Sequence, residues 1–380
     1  MMNKIGIYVH IPFCKSKCGY CDFYSRCDLS KAERYVDALL LQFDAWKQLL
    51  ADRSIDSVYI GGGTPTVIGD ILLLRVIRGI FDRFCIESGA EFTIEANPGT
   101  VDQNSLDAYR KAGVNRISFG VQSANDALLC RIGRIHNYNQ ARQAILWAKE
   151  AGFDNLSADL MYALPDQSKE DLLLSIERLS DLPLSHISMY GLKVEENTPF
   201  GRDPDLVLPD EEEQCAMYLE GVEMLAQRGF TQYEISNFAK EGKVSRHNLR
   251  YWKREEYIGF GCAAHSFYKG RRFFVPRSLE QFLNASEYAF PSVLYTVEEL
   301  SLKDVREEQI LLPLRTAYGV SKKELLLLVG EEKRSMVEGY LSSLERGGYA
   351  AMRDENLFLT PRGMLLSNTI ISDLLCYLDE

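Results

Sequence analysis

Short β-branched or apolar runs alternate with longer stretches of helical period from the N-terminus to about residue 230, and this rhythm constrains the fold more than any other feature. The strand-type runs are Ile5–Ile11, Ser57–Ile60, Glu91–Glu95, Arg116–Val121, Asn155–Tyr162 and His186–Leu192. Between them lie helical patterns such as Lys31–Leu50, Asp70–Phe84, Gln103–Lys111 and Tyr138–Glu150. Six βα units predict an α/β fold, a parallel sheet curled into a partial (βα)6 barrel. Breakers fall where the strands should end: Gly61-Gly62-Gly63-Thr64-Pro65, Asn97-Pro98-Gly99, Leu164-Pro165 and Thr198-Pro199. In such barrels the loops leaving the strands form the active face.

The loop after the first strand carries Cys14, Cys18 and Cys21 in the run His10-Ile11-Pro12-Phe13-Cys14-Lys15-Ser16-Lys17-Cys18-Gly19-Tyr20-Cys21-Asp22-Phe23. Iron–sulfur clusters are normally held by four cysteines, so C-x3-C-x2-C with no matching fourth leaves one iron of a [4Fe–4S] cubane open to a substrate or cofactor. Two other readings fit the spacing: a zinc site completed by His10 or Asp22, or three buried structural cysteines. Zinc favours paired C-x2-C knuckles, and no second knuckle follows; Cys27 comes only after the loop has run on through Asp22–Arg26. Nine cysteines, an odd number clustered near one end, argue for reduced, metal-holding thiols rather than a secreted disulfide framework. Cys85, Cys130, Cys215, Cys262 and Cys376 are expected to be small buried hydrophobes.

With 380 residues, 46% of them hydrophobic, the chain can bury a large core. Its first residues enter a strand almost at once, and no apolar run is long enough to cross a bilayer, so a cytoplasmic protein is expected. A net charge of −11 argues against general affinity for nucleic acid, and Lys269-Gly270-Arg271-Arg272 reads as a solvated turn. Three segments are expected: the barrel over 1–230, an antiparallel extension or lid over 231–296, and a helical, winged-helix-like domain over 297–380. The middle one is rich in aromatic and basic residues, among them Tyr233, His247, Tyr251, Trp252 and Phe267. In the last, helical stretches Lys303–Leu312, Ser321–Val329 and Glu332–Arg346 precede a hairpin over Ala350–Leu359 turning at Asp354-Glu355-Asn356, and Thr360-Pro361 opens a final helix. The acidic balance favours packing or partner docking over DNA binding, and no late helix is basic enough for a DNA-binding regulator.

The cysteine loop, preceded by Tyr8-Val9-His10-Ile11-Pro12-Phe13 and followed by Gly61-Gly62-Gly63-Thr64-Pro65-Thr66, resembles the radical S-adenosylmethionine (SAM) superfamily, and within it the oxygen-independent coproporphyrinogen III oxidase group, over nearly the whole chain. The resemblance implies that Cys14, Cys18 and Cys21 hold a [4Fe–4S] cluster whose open iron takes the amino and carboxylate groups of SAM. Tyr8, Gly62 and Glu95 then match a first SAM site, and Tyr20, Gly63, Thr64, Gln122, Arg134 and Asp159 match residues touching a second molecule. Glycines at 62 and 63 allow close backbone approach, which a plain tight turn would need equally, and Glu95 at a strand end can accept hydrogen bonds from ribose hydroxyls.

Two departures separate the chain from the oxidase proper. Phe23 stands where that enzyme has a further cysteine, and the enzyme's long N-terminal segment has no counterpart ahead of the first strand. In their place His247-Asn248-Leu249-Arg250-Tyr251-Trp252 is similar to the H-N-x-x-Y-W motif of the haem-chaperone (HemW) family. That likeness implies haem as cofactor, with His247 as axial iron ligand and Tyr251 and Trp252 against the macrocycle. His265, after the small-residue run from Gly259 to Ala264, either lines the SAM pocket or is a second porphyrin ligand; His136 and His186 are expected to be structural. The implied partners are haem, haem-accepting apoproteins and, where radical chemistry occurs, an electron donor such as a flavodoxin or ferredoxin. No nucleic acid is expected, while peripheral membrane contact and homodimerisation stay open. The competing activity is oxidative decarboxylation of coproporphyrinogen III.

Overall fold

The computed structural model describes residues 3–286 and 295–378. Residues 287–294, part of the expected middle segment, lie outside the described residues, as do 1–2 and 379–380. Six strands, β1 (Asn3–Ile11), β2 (Arg53–Gly62), β3 (Ile86–Ala96), β4 (Arg116–Gln122), β5 (Asn155–Tyr162) and β6 (His186–Gly191), pair in parallel and in chain order. Around them run α1 (Ala32–Lys47), α2 (Asp70–Phe81), α3 (Gln103–Lys111), α4 (Asp126–Arg131), α5 (Tyr138–Glu150), α6 (Lys169–Ser180) and α7 (Glu211–Gln227). Local signals set several starts: Asp102, Asn137, Ser168 and Asp210 each close a capping box with the residue three places on.

Alternation along each strand builds two unlike faces. One set, including Ile5, Ile7, Val9, Ile60, Ile94, Ile117, Leu156 and Ile187, is fully buried in a core shared with the helices. The other set is polar and faces the lumen: Ser57 and Tyr59 on β2, Glu91, Thr93 and Glu95 on β3, Arg116 and Ser118 on β4, Ser157 and Asp159 on β5, His186 and Ser188 on β6. Most of these polar residues are also buried.

Residues 231–296 do not form a single antiparallel extension. β7 (Thr231–Glu234) and β8 (Asn237–Ala239) join antiparallel beyond β6, whereas β9 (Tyr257–Phe260) lies parallel to β1 at the opposite edge, continued antiparallel by β10 (His265–Tyr268), β11 (Arg271–Phe274) and β12 (Thr296–Glu298). The chain must cross from one edge to the other, and a crossover delivers a parallel strand. The crossing contains α8 (Arg246–Trp252), which closes the end of the lumen where the strands begin. There Glu91 accepts from the Arg246 and His247 backbone N–H groups, at 2.9 Å each, a carboxylate at a helix N-terminus. The Lys269-Gly270 turn joins β10 to β11 with both residues at positive φ, as expected of a solvated turn, although Arg272 reaches Glu308.

α9 (Leu279–Ser286) is followed by α10 (Leu302–Leu314), β13 (Val320–Ser321), α11 (Lys322–Val329), α12 (Arg334–Arg346), β14 (Ala350–Arg353), β15 (Asn356–Leu359), α13 (Pro361–Leu365) and α14 (Ser367–Leu375). From α10 to β15 this is the element order of a winged helix, with strand order β13-β15-β14. The hairpin turns at Asp354 and Glu355, both at positive φ, and Thr360 accepts from Gly363 N–H at 3.2 Å. One expectation fails on burial: Cys262 is buried, but Cys85, Cys130, Cys215 and Cys376 are exposed.

Candidate functional site

The cysteine loop is pinned at its neck and its middle, leaving the thiols to face inward. At the neck Cys14 N–H donates to Arg26 O (3.0 Å) and Arg26 N–H to Pro12 O (2.8 Å), over a fully buried Phe13. In the middle Gly19 N–H donates to Ile132 O (3.2 Å) and Gly19 O accepts from Phe200 N–H (2.9 Å). Only glycine fits there, since a Cβ would lie 2.6 Å from the Phe200 ring. Cys14, Cys18 and Cys21, all free thiols of intermediate exposure, line a cavity of about 380 Å³ at the barrel mouth.

The donor chemistry fits a thiolate-bound cluster. Burial pushes the Cys14 and Cys21 thiols upward, a bias that bound iron would reverse by favouring thiolate. Two donors already aim at sulfur: Thr64 Oγ1 at 3.8 Å from Cys14 Sγ and Arg134 Nη1 at 3.6 Å from Cys18 Sγ. The zinc alternative lacks its fourth donor. His10 has Nδ1 3.1 Å from the Tyr8 hydroxyl and Nε2 2.9 Å from Tyr24 O, and Asp22 is engaged by Arg277. Among the described residues no trio of His, Cys, Asp or Glu already converges as a metal site; the thiols share a cavity wall.

Most of the expected SAM residues line the same cavity: Tyr20, Gly62, Gly63, Thr64, Glu95, Gln122, Arg134 and Asp159. The glycines have packing roles there. Gly62 sits at φ 111° with its Cβ position 2.6 Å from the His10 ring, and at Gly63 a Cβ would stand 2.5 Å from Phe13 O. Glu95 accepts from the Tyr59 hydroxyl (2.8 Å) and Gly62 N–H (3.1 Å). Burial, then the charge of Asp159, pushes its carboxyl up to about 7. Asp159 is likewise raised by burial, against the pull of its Ser188 and Ser118 hydrogen bonds and the charges of Arg116 and Arg134. Gln122 ends β4 at φ 71°, a left-handed conformation that non-glycine residues seldom take and that often marks a functional turn. Tyr8 does not line this cavity; it stacks on Tyr59 (6.2 Å, 27°) within the lumen.

The H-N-x-x-Y-W residues lie elsewhere. His247 is 0% exposed on the lumen floor, its Nδ1 3.0 Å from Ser57 Oγ and its Nε2 2.8 Å from the Tyr251 hydroxyl. It stacks on Tyr59 at 5.5 Å and meets the edge of Tyr251 at 5.2 Å. Both ring nitrogens have partners in this arrangement, so iron ligation by His247 requires the Tyr251 hydroxyl or Ser57 to give way. Tyr251 and Trp252 are partly buried and share that end of the barrel, away from the cysteines. His265, ranked lower from sequence, is the exposed histidine, stacked on Phe274 at 5.0 Å. Sequence reasoning missed Tyr59 and Arg116. Arg116 is 1% exposed in the lumen, with Nε and Nη1 lacking any hydrogen-bond partner. Its signal was the one charged residue of β4, at an inward position.

A parallel barrel with three loop cysteines facing a cavity at its mouth defines a radical SAM fold, and residues 8–179 match the family profile described as the Radical SAM superfamily. The chain is 35% identical to a heme chaperone HemW of Bacillus subtilis (strain 168), over 96% of this chain and 97% of that protein. It is 40% identical to the heme chaperone HemW of Escherichia coli (strain K12) over 266 residues, 70% of each. The solved structure of the E. coli coproporphyrinogen III oxidase HemN, a radical SAM enzyme, shares the fold at TM-score 0.85 and 22% identity, covering 99% of this chain and 91% of that one. The chain belongs to the HemW family of the radical SAM superfamily.

Proposed function

We propose that the chain is a haem chaperone that carries a [4Fe–4S] cluster on Cys14, Cys18 and Cys21, binds SAM against it, and passes haem to apoproteins. The observation that carries this reading is the set of three free thiols facing Glu95, Gln122, Arg134 and Asp159 across one cavity, in a chain matching curated haem chaperones nearly end to end. When bound, the cluster supplies an electron that can cleave the SAM sulfonium. The chain's own residues orient and shield: Glu95 accepts from the ribose hydroxyls, Arg134 donates to Cys18 sulfur and balances Asp159, and Thr64 donates to Cys14 sulfur. A cytoplasmic setting fits the absence, among the described residues, of any helix able to cross a membrane.

The test is anaerobic reconstitution with iron and sulfide, then haem titration and product analysis after adding coproporphyrinogen III, SAM and a reductant. Haem binding without protoporphyrinogen supports the chaperone. Protoporphyrinogen formation without haem binding would establish the decarboxylase instead.

A further inference from the structure

Positive charge gathers at the rim of the cysteine loop. Lys15 and Lys17, both exposed, lie between Cys14 and Cys18, and the exposed Arg26 is hydrogen-bonded through its backbone to Cys14 and Pro12. Arg277 arrives from the segment ahead of α9 and donates to Asp22 O at 2.6 Å, while the Tyr24 hydroxyl accepts from Leu279 N–H at 2.7 Å. These two bonds strap the rim in place. Four cations thus stand against two carboxylates, Asp22 and Asp28, in a chain whose net charge is −11. Arg277 takes Asp22, and Asp28 accepts from Ser30 N–H at 2.9 Å, so Lys15, Lys17 and Arg26 carry no ion pair among the described residues. Phe23 stands among them, 69% exposed, its ring bordering both the cluster cavity and a second recess of about 470 Å³ that Lys17, Arg26 and Arg277 line. An aromatic centre ringed by charge is the make-up of a docking surface.

We infer that this rim docks an acidic one-electron carrier protein, of the flavodoxin or ferredoxin type, with its carboxylates on Lys15, Lys17 and Arg26 and its apolar contact on Phe23. The inference rests on the cluster-bearing reading and adds to it the point of electron entry. One electron leaves the reduced carrier, which is thereby oxidised by one, and enters the oxidised cluster; no bond forms or breaks. Electron transfer weakens steeply with distance, and this rim is built from the loop that holds the three thiols. Contacts between electron carriers are small and weak, and charge steers them. On a chain of net charge −11 the surface at large repels an acidic carrier, so three unpaired cations beside the thiols direct it to the one place where transfer is short.

The test uses cluster-reconstituted protein under anaerobic conditions, with reduced flavodoxin as the probe and photoreduced 5-deazariboflavin, small and uncharged, as the reference reductant. Lys15→Gln with Lys17→Gln and Arg26→Gln should weaken flavodoxin binding about tenfold at low salt, flatten its salt dependence and slow cluster reduction by flavodoxin in step. Reduction by deazariboflavin, and iron and sulfide content, should stay as in wild type. Lys303→Gln with Lys323→Gln and Arg346→Gln makes the same change in net charge at exposed positions of α10, α11 and α12, and should leave flavodoxin binding unaffected. Phe23→Ser should weaken binding without altering its salt dependence. Equal loss in the α10–α12 set, or wild-type reduction by deazariboflavin but not by flavodoxin, overturns the docking surface. So does binding of phosphatidylglycerol vesicles that the rim variants abolish while flavodoxin reduction is untouched, which makes the rim a membrane contact. Failure of wild-type protein to hold a cluster overturns the cluster reading instead.

Discussion

Replacing His247 with Ala separates a structural histidine from an iron ligand. The ring is fully buried, stacked on Tyr59, and hydrogen-bonded at both nitrogens. Removing it forfeits packing worth about 2–4 kcal/mol, by comparison with other large-to-small core changes. Ser57 Oγ keeps Arg250 Nε at 3.4 Å, but the Tyr251 hydroxyl loses its His247 partner, which adds about 1–3 kcal/mol. The expected loss is therefore about 3–7 kcal/mol, or roughly 4–9 °C in Tm for a chain of this size. Anaerobic thermal and urea unfolding read the stability, and haem titration of the folded protein reads the cargo. Lowered Tm with an unchanged Soret band and haem affinity marks a histidine whose role is packing alone. A variant of wild-type Tm that has lost haem binding, with His247→Gln behaving alike, would refute the reasoning and restore the imidazole as ligand.

Three further outcomes follow. Glu95→Gln should weaken SAM binding by about 1–3 kcal/mol while leaving cluster absorbance intact, and wild-type affinity should rise with pH through about 7 as the carboxyl ionises, a trend absent from the variant; calorimetry showing the same pH trend in both would remove Glu95 from the site. Arg116→Met should weaken SAM as Glu95 and Asp159 lose a facing positive charge; unchanged affinity would count against it. Acid should destabilise the fold below about pH 6.5. Burial holds His10 and His136 at about 4, His247 at about 3 and His186 well below its ordinary value, so their stabilising contribution is whole above the unfolded value of 6.5 and is lost as pH falls toward the folded ones. Glu95 and Glu234, each raised by burial to about 7, act with the opposite sign, losing stability as pH rises from 4.5. Near pH 5.5 the balance is a net uptake of about two protons on unfolding, hence a fall of about 2–3 kcal/mol per pH unit, and a urea midpoint that does not move between about pH 5 and 6.5 would contradict it.

What the sequence disclosed was what neighbours in the chain decide. β5, α3 and α5 have the bounds read from periodicity alone, because alternation, helical period and capping boxes are all local. The cysteine loop, Gln122 and Arg134 follow strands, and Glu95 and Asp159 sit toward the ends of β3 and β5, so the residues that the resemblance singled out share one face of a parallel barrel. Partners across the fold were not legible. Ser57 and His247 meet over 190 positions of sequence, and nothing local announces that α8 will close the barrel floor. Cys85, Cys130, Cys215 and Cys376, expected to be buried and found exposed, show the same gap, since composition says that a thiol prefers burial but not which surface is left for it.

The lumen joins the two ends that the sequence treated separately. From the mouth downward, Glu95 accepts from Tyr59, Tyr59 stacks on His247, and His247 meets the Tyr251 hydroxyl, in one polar column enclosed by apolar strand faces. A disturbance at the floor therefore reaches Glu95 through the Tyr59 ring, so damage at His247 should weaken SAM binding only in proportion to lost stability.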